Sequence, residues 1–290
     1  MSSADFETGQ LFRLHIPTRE RALWIGPAWA AICGIAASGV MAWRGQALLL
    51  SILAVLLADG LWATLWWTLV ETQWSEIIAR INTHSIEAPA HSLPFTQSGS
   101  AADRTQRRLA RSVAWFRSDV WPHFGSSVLT VIVSMGLGLI LSIIIGWQAL
   151  ALSLAAFALI QLALLMQRFR SGAVSILHGL LDVGLAWFLG HAALGQITLI
   201  SFAFALFFSF AYSGVIEVIR QEKSSRRWLM PQILIVIVLA IMQQPLAAFA
   251  LITVLIAQAL LATVLRGPTF ARSAQWWLML SMLIAAIAIR

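Results

Sequence analysis

The stretch ALLLSILAVLLADGLWATLWWTLV, Ala47–Val70, decides the fold. Its 24 residues contain one charged side chain, Asp59, and no proline. About 20 mostly apolar residues in a helix match the hydrocarbon thickness of a bilayer, because each residue advances the helix by about 1.5 Å. Apolar residues on every side leave no polar face for water, so this segment belongs inside a membrane. Two-residue alternation is absent, which excludes the strand of a membrane barrel.

Eight further segments read the same way: Trp24–Ala42, Phe124–Ile145, Ala149–Met166, Gly172–Gly190, Ile197–Val218, Leu229–Gln243, Leu246–Leu265 and Ala274–Ile289. Over all 290 residues the chain is 60% hydrophobic and 11% charged. Soluble domains carry about 25% charged residues, so a soluble enzyme, a disordered chain and a coiled coil are excluded. The expected fold class is an all-α polytopic membrane protein with nine transmembrane helices in one domain, residues 24–290. A polar arm, residues 1–23, precedes it. That arm has no basic start followed by a short apolar core and a small-residue cleavage site, so it reads as retained rather than as a signal peptide.

Orientation follows from the cations. With the N-terminus cytoplasmic, seventeen of the nineteen Lys and Arg residues fall on the inside, leaving Arg44 and Arg290 outside. Cytoplasmic loops are enriched in Lys and Arg. Removing or splitting one helix would scatter the basic loops over both faces. The expectation is therefore an N-terminus inside and a C-terminus outside, in the inner (cytoplasmic) membrane of the cell. The net charge of +7 is then topological and gives no reason to expect nucleic acid. Cys33 is the sole cysteine, so a disulfide within the chain and any Cys-based zinc or iron–sulfur site are excluded. His15, His84, His91 and His123 show no metal-ligand spacing, His178 could ligate the magnesium of a chlorin, and His191 reads as part of an outside turn. Trp24, Trp43, Trp74, Trp121, Trp147, Trp228, Trp276 and Trp277 fall near span ends, as an aromatic belt does.

Two cytoplasmic loops carry the polar chemistry. The first, residues 71–123, contains a basic amphipathic helix at about 101–120. There Leu109, Val113, Phe116 and Val120 share one face, and Arg104, Arg107, Arg108 and Arg111 lie largely opposite. Such a helix suits a membrane surface. The second, residues 218–228, holds Arg220, Glu222, Lys223, Arg226 and Arg227 next to Glu217. Guanidinium groups match phosphate bidentately, so Arg220, Arg226 and Arg227 are candidate phosphate ligands.

Long functional loops after helices two and six of a nine-helix frame resemble the UbiA-type intramembrane prenyltransferases. Ile25-Gly26-Pro27-Ala28, Leu56-Leu57-Ala58-Asp59-Gly60, Ser92-Leu93-Pro94 with Ser98-Gly99, and Arg226-Arg227-Trp228-Leu229 each resemble passages of that family. The resemblance implies a UbiA-like helical bundle that handles isoprenoids, with Asp-rich motifs holding Mg²⁺ on a diphosphate. Here the first motif falls on residues 65–73, where Leu65, Trp66, Leu69 and Gln73 take the Asn and Asp positions. In the second, Glu217 takes one Asp position and Gly214 and Gln221 take two others. Mg²⁺ requires oxygen ligands, usually one or two carboxylates with substrate phosphates. The expectation is a UbiA-like protein that has lost Mg²⁺-dependent prenyl transfer. It is expected to bind an isoprenoid, quinone or tetrapyrrole-type lipid, as a subunit or assembly factor of a membrane complex with partner chains. If prenyl transfer survives, Mg²⁺ is the cofactor and Glu71, Glu217 and Glu222 are the carboxylates available for catalysis.

Charged groups within spans face a cavity or a partner. Asp59 in helix two, and His178 with Asp182 in helix five, form a candidate polar cluster in the cavity. It suits a quinone or pigment head group, or the coupling site of a small-molecule transporter. Five phenylalanines, Phe202, Phe204, Phe207, Phe208 and Phe210, make helix six a candidate wall for an isoprenoid.

Overall fold

A computed structural model describes residues 26–40, 45–71, 100–117, 121–167, 171–221, 227–265 and 267–290. The expected arm at 1–23, most of the expected loop at 71–123, and residues 222–226 of the expected loop at 218–228 lie outside the described residues. Among the described residues all regular structure is helical. We label the helices α1 (Pro27–Ala37), α2 (Gly45–Glu71), α3 (Ala101–Trp115), α4 (Trp121–Ile145), α5 (Trp147–Met166), α6 (Ser171 to Leu194), α7 (Leu199–Gln221), α8 (Leu229–Ile241), α9 (Pro245–Val264) and α10 (Gly267–Ala288). Seven of these, namely α2, α4, α5, α6, α7, α9 and α10, are long and apolar enough to cross a membrane. Shorter apolar helices are α1 and α8, with 11 and 13 described residues.

The boundaries have local causes. Gly146 alone separates α4 from α5, with φ of 140°, a conformation that L side chains rarely adopt. The resulting hairpin is tied by Ser142 and Ser153, whose hydroxyls lie 2.5 Å apart. Prolines at Pro27 and Pro245 sit in the first turns of α1 and α9, where no helical N–H is lost. By the same logic α10 opens at Gly267 with Pro268 in its first turn, seven residues before the expected start at Ala274. Arg272 therefore lies inside the last helix rather than in the loop before it.

Helices α2, α6, α7 and α10 have half or more of their membrane-length stretch buried, whereas α4, α5 and α9 have less than a third. The former make the interior of the bundle. α1 reaches that interior through small residues: a Cβ on Gly34 would land on the Trp187 carbonyl, and one on Gly190 on the Ala31 carbonyl. Close backbone approach through glycine is how helices associate where lipid removes the hydrophobic drive between them.

Two expectations for single residues are corrected. His191 lies in α6 rather than at a turn, because that helix continues to Leu194. It is held there by Ser201 Oγ at 3.1 Å and by the Gln196 carbonyl at 2.8 Å. Trp228 is buried against Phe270, with ring centroids 5.4 Å apart, so it is a core residue and not part of an aromatic belt. Trp121, Trp147 and Trp276 are exposed, as belt residues are.

Candidate functional site

Two inner helices depart from α-helical winding at their buried acids. In α2 the stretch Leu56–Trp62 is π-helical and carries Asp59; in α6 the stretch Leu180–Leu185 is π-helical and carries Asp182. The two stretches touch across the interface of α2 with α6. A π-helical turn fits one extra residue into the ladder and re-aims the side chains around it, and such turns concentrate at functional sites.

One turn before Asp182, His178 Nε2 lies 3.0 Å from its carboxylate oxygen, with both side chains buried. The (i, i+4) spacing on a helix puts them on one face. The other side of the imidazole is closed by aromatics. Trp66 of α2 stacks on it at a centroid distance of 4.6 Å and an interplanar angle of 18°. Tyr212 of α7 meets it edge-on at 6.4 Å and 70°. Trp66 and Tyr212 are both fully buried. The Trp66 indole N–H donates to Glu71 at 3.3 Å, which engages the carboxylate at the end of α2. Nearby, the Gln167 amide donates to the Val70 carbonyl and ties α5 to the same helix end.

His178 Nδ1 in α6 and Trp62 Nε1 in α2 are buried with no hydrogen-bond partner among the described residues. A buried polar group left unsatisfied costs about 1–3 kcal/mol. With Nε2 committed to Asp182, a neutral His178 offers Nδ1 as an acceptor, and Trp62 offers a donor. A hydroxyl hydrogen is the complement of the first, and a hydroxyl or carbonyl oxygen that of the second.

At the ends of α7 and α8, Arg227 donates to both Glu217 carboxylate oxygens, at 2.9 and 3.1 Å. Of the expected phosphate ligands, Arg227 is therefore paired. The side chains of Arg220 and Arg226, and the expected carboxylate Glu222, lie outside the described residues. Glu71 and Glu217 each have a partner of their own, and among the described residues no three His, Cys, Asp or Glu side chains gather as a metal site needs.

Three of the positions that the family resemblance assigns to metal ligands, Leu65, Trp66 and Gly214, do not fit Mg²⁺. Leu65 and Trp66 are buried and carry no carboxylate. At Gly214 an added Cβ would lie 2.6 Å from the Trp228 nitrogen and 2.9 Å from its Cα, so no acidic side chain fits where α8 begins.

No family model, curated protein or solved structure matches this chain.

The remaining expected residues divide clearly. Phe204 and Phe208 are fully buried, and Phe208 stacks on Trp187 at 5.9 Å; Phe202 and Phe210 are exposed. The phenylalanines of α7 thus serve two different surfaces rather than one wall. Asp59 is buried in α2. Arg104, Arg107, Arg108 and Arg111 are exposed on α3. Sequence reading missed three contacts: Trp66 on His178, Tyr212 beside it, and Gly214 under Trp228. Tyr212 carried a signal, as the one tyrosine of the chain. The other two contacts are set by which helix faces meet, and no local pattern announces them.

Proposed function

We propose that this protein is a UbiA-like bundle of nine membrane spans, N-terminus cytoplasmic and C-terminus outside, in the inner membrane. In this reading it no longer performs Mg²⁺-dependent prenyl transfer. It holds an isoprenoid-type lipid with a polar head, such as a quinone or a tetrapyrrole, and serves as a subunit or assembly factor of a membrane complex. The observation that carries the reading is the Trp66–His178 stack. An indole fills the position that a catalytic relative would give to a metal-binding carboxylate, and the same side chain covers one face of the His178 ring. Gly214, pressed against Trp228, supports the same loss at the second motif. The unpartnered His178 Nδ1 and Trp62 Nε1 support a hydroxyl- or carbonyl-bearing head group between α2 and α6.

The test has two arms on the purified full chain. Incubation with prenyl diphosphate and aromatic acceptors, with and without Mg²⁺, is expected to release no diphosphate. Mass spectrometry of lipids extracted from the same preparation is expected to find an isoprenoid-tailed molecule near one per chain, reduced in His178→Phe. Mg²⁺-dependent turnover would overturn the loss of catalysis. A preparation holding only bulk phospholipid would overturn the lipid assignment.

A further inference from the structure

Helix α3 supplies no residue to the His178–Asp182 site. It is capped by the Ser100 hydroxyl, which accepts from the Asp103 N–H at 3.2 Å. Its apolar face is uncovered: Leu109 is 66% exposed and Val113 51% exposed, and Phe116 and Trp121 are exposed beside them. These four residues, with Ser112 and Arg117, line a groove of about 550 Å³. The Phe116 and Trp121 rings are 5.9 Å apart, so the apolar wall runs without a break from α3 onto the first residue of α4. Helix α4 is itself of membrane length from Gly125 to Ile145.

The charge on α3 is one-sided. Arg104, Arg107, Arg108 and Arg111 are all exposed, and Asp103 is the one acid within Ala101–Trp115. Asp103 pairs with Arg107 at 3.0 Å. An apolar partner helix would cover the groove and leave the guanidinium groups without counter-charge. The acyl boundary of an anionic leaflet satisfies both faces, because long arginine side chains reach from an embedded helix to phosphate level.

We propose that α3 is an anionic-phospholipid-binding element lying in the plane of the head groups. The Leu109–Val113–Phe116–Trp121 groove rests on acyl chains, and the arginines hold lipid phosphates. The root of α4 is thereby anchored to a leaflet of defined charge.

Spin labels test this on the full chain in a Cys33→Ala background, since Cys33 is the sole cysteine. Labels go at L109C and V113C on the apolar face, with R108C on the opposite face. The protein is placed in nanodiscs of phosphatidylcholine alone, or with phosphatidylglycerol added. With phosphatidylglycerol, labels at L109C and V113C are expected to contact oxygen dissolved in the acyl region, while the label at R108C stays accessible to an aqueous nickel chelate. In phosphatidylcholine alone an aqueous component is expected to grow in the L109C spectrum. The triple variant R104Q/R108Q/R111Q is expected to lower the embedded-to-aqueous ratio at least tenfold, given about fivefold for each basic residue at an anionic surface. A label at L109C that is aqueous in both lipid compositions would overturn the proposal. So would one shielded from oxygen and nickel alike, which would mean that protein covers the groove.

Discussion

Trp66 and His178 lie face to face between α2 and α6, their ring centroids 4.6 Å apart. This contact joins the two inner helices at the level of the buried His178–Asp182 pair, and both rings are excluded from solvent. Trp66→Ala is expected to cost about 3–5 kcal/mol, because a buried void replaces a large aromatic. Trp66→Phe retains a ring and loses the hydrogen bond to Glu71, for a smaller loss of about 1 kcal/mol. Thermal unfolding in detergent, followed by loss of the monodisperse species, checks the order of the two. Equal losses would mean that the stack contributes nothing beyond the hydrogen bond.

The His178–Asp182 pair predicts a coupling. Removing one partner leaves the other buried without its counterpart, so Asp182→Asn and His178→Phe each destabilise. Contacting residues show interaction energies of about 0.5–3 kcal/mol in a double-mutant cycle. The double variant is therefore expected to lose less than the sum of the singles. Additive losses would show that the 3.0 Å contact carries no energy.

Gly34 and Gly190 predict a steric effect. An added methyl group at either position meets a backbone carbonyl of the facing helix, which cannot move aside as a flexible side chain can. Gly34→Ala and Gly190→Ala are expected to lower the midpoint of thermal unfolding. Gly136→Ala on α4 meets nothing within 4 Å and is expected to be neutral or stabilising, by up to about 1 kcal/mol of helix propensity. A shared response of all three variants would contradict the close contact of α1 with α6.

The Glu217–Arg227 pair predicts a small effect. One guanidinium nitrogen reaches both carboxylate oxygens, and the arginine is exposed to solvent. Exposed pairs contribute about 0–1 kcal/mol. Glu217→Gln is expected to leave the unfolding midpoint nearly unchanged and to make it less sensitive to salt. A loss on the scale of Trp66→Ala would show that Glu217 does more than pair with Arg227.

The proposed topology predicts the behaviour of reporters. An alkaline phosphatase fused after Arg290 is expected to be active, and a green fluorescent protein fused there to be dark, since each reporter matures on one side of the membrane. The opposite result would mean either an inverted bundle or, with the N-terminus inside, an even number of spans.

The membrane-length helices were legible because hydropathy is a local, additive property. Gly172 starts a span in both the sequence reading and the structure, and α4 and α5 end as expected at Ile145 and Met166. The basic amphipathic helix was legible for the same reason, since the apolar spacing of Leu109, Val113 and Phe116 needs no knowledge of any neighbour. The first residues of α10 were not. Arg272 and Pro268 read as loop, although a proline in a first turn costs a helix nothing. Likewise Gly190 read as the end of a span, when it is the point where α1 presses against α6.

Of the candidate site, the sequence placed His178 and Asp182 on one helical face, because an (i, i+4) pair is set by helix geometry alone. Trp66 entered only through the family resemblance, as a position where a carboxylate would be expected. That Trp66 then covers His178, that Tyr212 meets the same ring from α7, and that Trp228 turns inward onto Phe270 were decided by the tertiary structure. The physical reason lies in the solvent. Lipid accepts apolar side chains as readily as a protein interior does, so hydropathy says that a helix enters the membrane without saying which face meets another helix. That choice fell to steric fit between backbones at glycine and to the few polar groups that lipid cannot satisfy.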